Sequence, residues 1–300
     1  MQLGVCVASR IDDVEYVVRA EELGYECAWL ADSQMIWSDV YATLALAADR
    51  TSRIRVGTGV AVAATRPAPV TAAAIASINQ LAPGRTFLGI GTGNTALRIM
   101  GHKPMAMAEF DRYLTTLAPL LRGDEAEFER RGHTSPIRHI MAADGFVDFE
   151  NEIPLYVSGF GRRSLGLAGK HGAGAVLSIP PYAPFMEHAW AGIEAGAAAA
   201  DRTIDRDDYF TSSLTTVVVL EDDEPADSER AKRLCGAFAI AGLHYAYDQY
   251  RNFGGNRRAG RSPRCGTTIG RWSKRHPKAA ATNGCTPGTT VGCFPRRSGS

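Results

Sequence analysis

Two glycine-rich turns carry most of the chemical potential in this sequence: Gly89-Ile-Gly-Thr-Gly-Asn94 and Gly159-Phe-Gly-Arg-Arg-Ser164. Each follows a short apolar run and leads into a helical pattern. Glycine there lets a backbone approach a ligand closely, although a single such turn also marks any tight strand-to-helix connection. A third feature is Asp32-Ser33, which ends the apolar run Cys27–Leu30 and is well suited to cap the helix that follows. No Ser, His and Asp fall at a spacing recognisable for nucleophilic catalysis. The six cysteines form no Cys-x-x-Cys pair, which rules out a zinc ribbon or finger. His102 and Lys103 read as a solvated loop near a substrate mouth, and His171 and His244 as structural or exposed helix residues. Cys6 and Cys27 read as small apolar residues packed on adjacent strands.

The elements that must position these turns alternate strictly. Leu3–Val7, Cys27–Leu30, Ile54–Val62, Phe87–Gly91, Leu155–Ser158, Ala175–Ile179 and Leu214–Leu220 are apolar, β-rich runs. Between them lie helical patterns from Asp12 to Leu23, Tyr41 to Asp49, Pro67 to Leu81, Met107 to Leu121, Arg163 to His171 and Phe185 to Ala200. A last helix is expected from Ser228 to about Tyr250. The strands are continuous apolar runs rather than alternating ones, as parallel sheets covered on both faces require. Residues 123–154 break the rhythm and read as an inserted loop or small hairpin. Seven βα units predict an α/β fold of the (β/α)8 TIM type, with the eighth strand and helix missing. A doubly wound sheet would want Gly-x-Gly-x-x-Gly after the first strand, where Ala8-Ser9-Arg10 stands. In a barrel both glycine turns fall at carboxyl ends of strands, where such enzymes bind ligands.

Composition divides the chain at residue 254. Residues 1–253 carry a net charge of −9, whereas residues 254–300 carry ten basic residues, no acidic one, nine glycines and three cysteines. Such a segment buries too little apolar surface to offset its ordering entropy. A basic arm for nucleic acid, a poorly ordered terminus and an out-of-frame translation of a lost ending all fit this composition. The abrupt shift favours the last, so no nucleic-acid partner is expected. Without an eighth unit the first and seventh strands become open edges, which predicts poor solubility or partial unfolding. The amino terminus has no signal-peptide pattern and no run is long enough to span a membrane, so a cytoplasmic protein with no membrane partner is expected.

Taken in order, Ala31-Asp32-Ser33, Gly57-Thr-Gly-Val-Ala61, Arg66-Pro67, Leu81-Ala-Pro-Gly-Arg85, Leu88-Gly-Ile-Gly-Thr-Gly93 and Tyr156-Val-Ser-Gly159 resemble the bacterial luciferase-like superfamily. The similarity is to its deazaflavin-dependent branch, which includes methylenetetrahydromethanopterin reductase, and it covers residues 1–253. The resemblance implies an oxidoreductase that moves a hydride between bound coenzyme F420 and a small-molecule substrate. FMN, with monooxygenase chemistry, is the alternative cofactor, and an inactive truncated product the alternative outcome. A homodimer is what the family's habit implies.

Position by position, the resemblance implies a bulge with a non-proline cis peptide at Gly59–Val60, backing the coenzyme ring. It places Asp32, with Ser33, beside that ring, where a carboxylate could hydrogen-bond the ring edge or assist protonation. Thr92 and Asn94 would bond the coenzyme, with Gly91 letting the backbone approach. Ser158, Gly159, Gly161 and Arg162 match the family's phosphate-side loop, where helix-start amides and an arginine favour an anion. Ser178 and Ile179 would complete that wall. The substrate lining would come from Gln34–Trp37 and the 123–154 insert, with Met35 and Trp37 as an apolar rim.

Overall fold

The computed structural model describes residues 2–177, 183–236 and 239–240. In chain order the elements are β1 (Gly4–Val7), α1 (Glu15–Glu22), β2 (Cys27–Leu30), α2 (Val40–Arg50), β3 (Arg55–Val62), α3 (Ala68–Leu81), β4 (Thr86–Gly91), α4 (Asn94–Ile99) and α5 (Met107–Leu120). There follow β5 (Ala126–Arg130), β6 (His133–Ile137), β7 (Leu155–Ser158), α6 (Arg162–His171), β8 (Gly174–Leu177), α7 (Ala183–Ala198) and β9 (Phe210–Ser213). Residues 229–236 and 239–240 are also helical.

Seven strands form one parallel sheet in the order β1-β2-β3-β4-β7-β8-β9. The sheet is curled. Trp29 on β2 and Phe210 on β9 stack with ring centroids 6.2 Å apart, although they lie five strand spacings apart in the sheet. A flat sheet would separate them by about 24 Å at roughly 4.8 Å per strand. Phe87 and Tyr156 join the same interior cluster, with Trp29–Phe87 and Tyr156–Phe210 centroids at 4.3 and 4.4 Å. Arg55 donates to the Tyr156 hydroxyl at 3.0 Å and stands over Phe87. The inside of the curl is therefore packed rather than open. Its outer face carries Leu30, Val56, Leu88, Ile90 and Val157 against the helices, forming the main apolar core. This is the expected TIM-type α/β architecture, with β1 and β9 as the open edges among the described residues.

Local chemistry explains the joints. Asp39 caps α2, its carboxylate accepting from the amides of Tyr41 and Ala42 at 3.0 Å. The Glu21 carboxylate accepts from three consecutive amides, Ser52, Arg53 and Ile54, and so fixes the entry to β3. Arg85, from one of the motifs that carry the resemblance, donates to the carbonyls of Ala48, Thr51 and Ile54. That arginine works at the amino-terminal end of the strands, away from the glycine turns, and its role is structural.

Two segments differ from the sequence expectation, and a third settles an alternative left open there. The strand expected at Leu214–Leu220 is absent, and β9 lies just before it, in register with β8 from Gly174↔Phe210 to Leu177↔Ser213. Among the described residues past Ser213 no strand pairs with the sheet, and Val217 and Val219 are 79% and 81% exposed. Strand propensity without a pairing edge does not make a strand. The 123–154 insert contains a hairpin, β5 against β6, whose two-residue turn Arg131-Gly132 has positive φ at both positions, as twisted hairpins favour. A short helix, α4, begins at the second residue after Thr92, entered through Gly93 at φ 77°. Ser178, Ile179, most of the helix expected to Tyr250 and the 254–300 tail lie outside the described residues.

Candidate functional site

The carboxyl ends of β2, β3, β4 and β7 bring several of the singled-out residues together. β3 pairs with β4 in register up to Thr58↔Leu88 and resumes at Ala61↔Ile90, so Gly59 and Val60 form a bulge. The peptide between them is cis, as the resemblance implies. Gly59 lies against Trp29: a Cβ there would come within 2.8 Å of the Trp29 Cβ. Across from the bulge, a Cβ on Gly91 would stand 3.2 Å from Val60 Cγ2 and 3.3 Å from Ser158 Cβ. Val60 and Ser158, from the two neighbouring strands, thus close on Gly91, where only glycine avoids crowding them.

Hydrogen bonds hold the bulge on both flanks. On the entering side the buried Thr58 hydroxyl donates to the Gly89 carbonyl at 2.6 Å. On the leaving side the Val62 amide donates to Asp32 Oδ2 at 3.0 Å. Asp32 is buried and accepts two further bonds, from Arg66 Nη1 at 2.8 Å and from Gln34 Nε2 at 2.8 Å. It does not cap α2, because Asp39 does. Arg66 reaches Asp39 as well, Nη2 to Oδ2 at 2.7 Å, and its guanidinium stands 4.9 Å from the Tyr41 ring centroid. Burial opposes the Arg66 charge, yet the two carboxylates outweigh it and hold its pKa above the ordinary arginine value. Sequence reasoning placed Arg66 only within a motif; the acidic pair Asp32 and Asp39 seven residues apart was the signal available.

Near this pair, burial pushes the Tyr41 phenol well above its ordinary pKa and the Tyr113 phenol up to about 12. The Tyr113 and Thr71 hydroxyls share a hydrogen bond at 2.7 Å. The Gln34 Oε1 atom is buried with no partner among the described residues, so an acceptor beside Asp32 stands unused. Ser33 offers its carbonyl to the amides of Ile36 and Trp37, closing a turn in which Met35 takes a positive φ of 67° and is 81% exposed. Of the two residues expected to form an apolar rim, Met35 is exposed and Trp37 half-buried.

The other two turns are arranged differently. Thr92 is half-buried beside Gly91, and its carbonyl accepts from the Met105 amide. Asn94 opens α4, and its Oδ1 accepts from Arg98 Nε at 2.6 Å, which leaves its amide group as the available donor. On the far side, Gly159 packs against the first turn of α6, where a Cβ would lie 3.0 Å from the Leu165 amide nitrogen. The amides of Phe160 and Gly161 both donate to Ser164 Oγ at 3.1 Å. Of the helix-start donors expected to meet an anion, those two are therefore already engaged. Arg162 and Arg163 are exposed and make no ion pair among the described residues. No cluster of His, Cys, Asp or Glu suited to a metal ion occurs among the described residues.

The family model for luciferase-like monooxygenases matches residues 8–282. The chain belongs to that family. Among curated relatives, it is 30% identical over 239 residues to the 5,10-methylenetetrahydromethanopterin reductase of Archaeoglobus fulgidus, covering 77% of this chain and 67% of that protein. It is 28% identical over 231 residues to the enzyme of the same name from Methanolobus tindarius, with 76% and 67% coverage. An F420-dependent glucose-6-phosphate dehydrogenase from Amycolatopsis mediterranei is 28% identical, over 65% of this chain and 61% of that protein. The luciferase-like chain thus spans about two thirds of the reductases' length and less of the dehydrogenase's.

Solved structures bear out the fold. An F420-dependent secondary alcohol dehydrogenase in complex with an F420–acetone adduct superposes with a TM-score of 0.65 at 18% identity, covering 84% of each chain. The F420-dependent tetrahydromethanopterin reductase of Methanopyrus kandleri gives 0.58 at 22% identity, covering 83% of this chain and 82% of that one. An FMN-bound Baeyer–Villiger monooxygenase from Pseudomonas putida gives 0.58 at 18% identity, covering 85% and 77%. F420 dependence belongs by name to the dehydrogenase relatives and to the first two of these solved structures.

Proposed function

We propose that this luciferase-like protein is an oxidoreductase that transfers a hydride between a bound 8-hydroxy-5-deazaflavin coenzyme, F420, and a small organic substrate. The observation that carries the reading is the bulge at Gly59 and Val60, which sits at the carboxyl end of β3 beside Gly91 on β4, with Val60 and Ser158 only half-buried there. The residues present fit the coenzyme on two further counts: the buried, unpartnered Gln34 Oε1 accepts a hydrogen bond beside the bulge, and Arg162 and Arg163 offer charge to a phosphate. The secondary support is the F420 dependence stated for the curated dehydrogenase relatives.

The deazaflavin, when bound, supplies a carbon that accepts or gives up a hydride. The chain supplies position and a dry wall. Val60 and Gly59 would back the ring, and Ser158 with Arg162 would hold the phosphate side. Thr92 and the amide group of Asn94 donate to the coenzyme. Ser33 and the exposed Met35 edge the substrate mouth. Holding both reactants in register and excluding water accounts for the rate gain without a nucleophile. Asp32 holds the bulge from behind.

Fluorescence titration of the full chain with F420 beside FMN tests the reading. Saturable binding of F420 alone is the expected result, and preference for FMN would move the protein to monooxygenase chemistry.

A further inference from the structure

We propose that Arg66 is a positioning residue that fixes the coenzyme-facing bulge through Asp32, and that Asp32 acts by anchoring rather than by moving protons. The role for the coenzyme rests on the deazaflavin reading above; the anchoring itself does not. Asp32 Oδ2 takes the Val62 amide at 3.0 Å and Arg66 Nη1 at 2.8 Å, while Oδ1 takes Gln34 Nε2 at 2.8 Å. A carboxylate has about four acceptor positions, so three are filled by groups of the protein itself. Little capacity is left for exchanging a proton with a ligand.

The same geometry makes the pair a clamp. Val62 is two residues beyond Val60, and its amide is tied to Asp32 just after the ladder to β4 resumes at Ala61. Arg66 cannot drift, because its other nitrogen holds Asp39 at 2.7 Å and its guanidinium stands 4.9 Å from the Tyr41 ring centroid. Through Asp39, which caps α2, the clamp joins the start of that helix to the ends of β2 and β3. Its side chains are 17% and 3% exposed for Arg66 and Asp32, so this is not a surface pair of little consequence. Removing Arg66 leaves a buried carboxylate facing only the Val62 amide and the Gln34 side chain. A buried carboxylate stripped of its cation is unstable there, and the Val62 tether loosens with it. The planar fork is essential, because a lysine cannot bond two carboxylates in this way.

The test uses the full chain with Arg66→Met, Arg66→Lys and Asp39→Asn, the last of which leaves the Arg66–Asp32 bond in place. Hydrogen exchange of the Val62 amide is followed without coenzyme, alongside F420 affinity and the circular dichroism of the bound coenzyme. Arg66→Met should speed Val62 exchange at least tenfold relative to core amides such as Leu88 and weaken F420 at least tenfold. Arg66→Lys should recover part of both, and Asp39→Asn, which keeps an oxygen for Arg66 Nη2, should fall between the parent and Arg66→Met. Unchanged Val62 exchange in Arg66→Met, or in Arg66→Lys if the methionine variant does not fold, overturns the clamp. Faster exchange with unchanged F420 affinity and dichroism overturns its positioning role. Failure of the parent chain to bind F420 counts against the cofactor reading alone, since the exchange result stands without it.

Discussion

Val60 on the β3 bulge closes on the backbone of Gly91 on β4: a Cβ added to Gly91 would lie 3.2 Å from Val60 Cγ2. The contact is with a side-chain methyl rather than backbone, so Gly91→Val is expected to fold, with overpacking destabilisation of about 1–3 kcal/mol. If Val60 and Ser158 line the coenzyme site, forcing them apart lowers F420 affinity at least tenfold. Urea denaturation and fluorescence titration separate the two effects, and undiminished affinity in a folded variant would remove this wall from the site.

Thr58 ties the other flank of the bulge, donating to the Gly89 carbonyl at 2.6 Å in a fully buried setting. Thr58→Val keeps the shape and deletes the donor, leaving that carbonyl with an unmet acceptor. A loss of about 1–3 kcal/mol in unfolding free energy is expected. A shift in urea midpoint without a change in slope would check it.

The sequence carried the architecture well because parallel strands announce themselves as unbroken apolar runs. Cys27–Leu30 and Leu155–Ser158 begin and end where the runs do. Leu214–Leu220 misled for an instructive reason: its β-branched residues have strand propensity, yet the pairing edge of β8 is filled by Phe210–Ser213. α4 escaped notice because only six residues separate Gly93 from Met100. In the site, residue types were visible and their partners were not. Asp32 reads equally as a helix cap or as a carboxylate beside the coenzyme ring until Val62 and Arg66 are seen to meet it. The Ser164 hydroxyl that engages two helix-start amides is likewise a contact that no spacing rule reports.

His171 gives the fold a pH dependence at the opposite end of the strands. Its side chain is 9% exposed and its Nε2 lies 2.6 Å from Asp111 Oδ1. Burial lowers its pKa, with Lys170 and Arg202 adding to the effect, and Asp111 only partly opposes them. A histidine whose folded pKa lies below its unfolded value of 6.5 binds fewer protons in the folded chain. Its contribution is complete above about pH 6.5 and falls as pH drops through the folded value. Asp111 behaves separately: burial raises its pKa, but His171 and Lys170 outweigh this and hold it low, so its contribution is lost only below the carboxylate range. Stability should therefore decline from pH 7 to pH 5 by at most about 1.4 kcal/mol per unit. His171→Gln should flatten that decline; an unchanged slope in urea unfolding would contradict the assignment.

The central claim is that the bulge and the glycine of β4 receive a deazaflavin. Fluorescence titration of the full chain with F420, run beside FMN under the same conditions, tests it most directly. The account predicts saturable F420 binding that Gly91→Val and Arg66→Met both weaken, with no saturable binding of FMN. Saturable binding of FMN in preference to F420, or of neither by a folded chain, would contradict it.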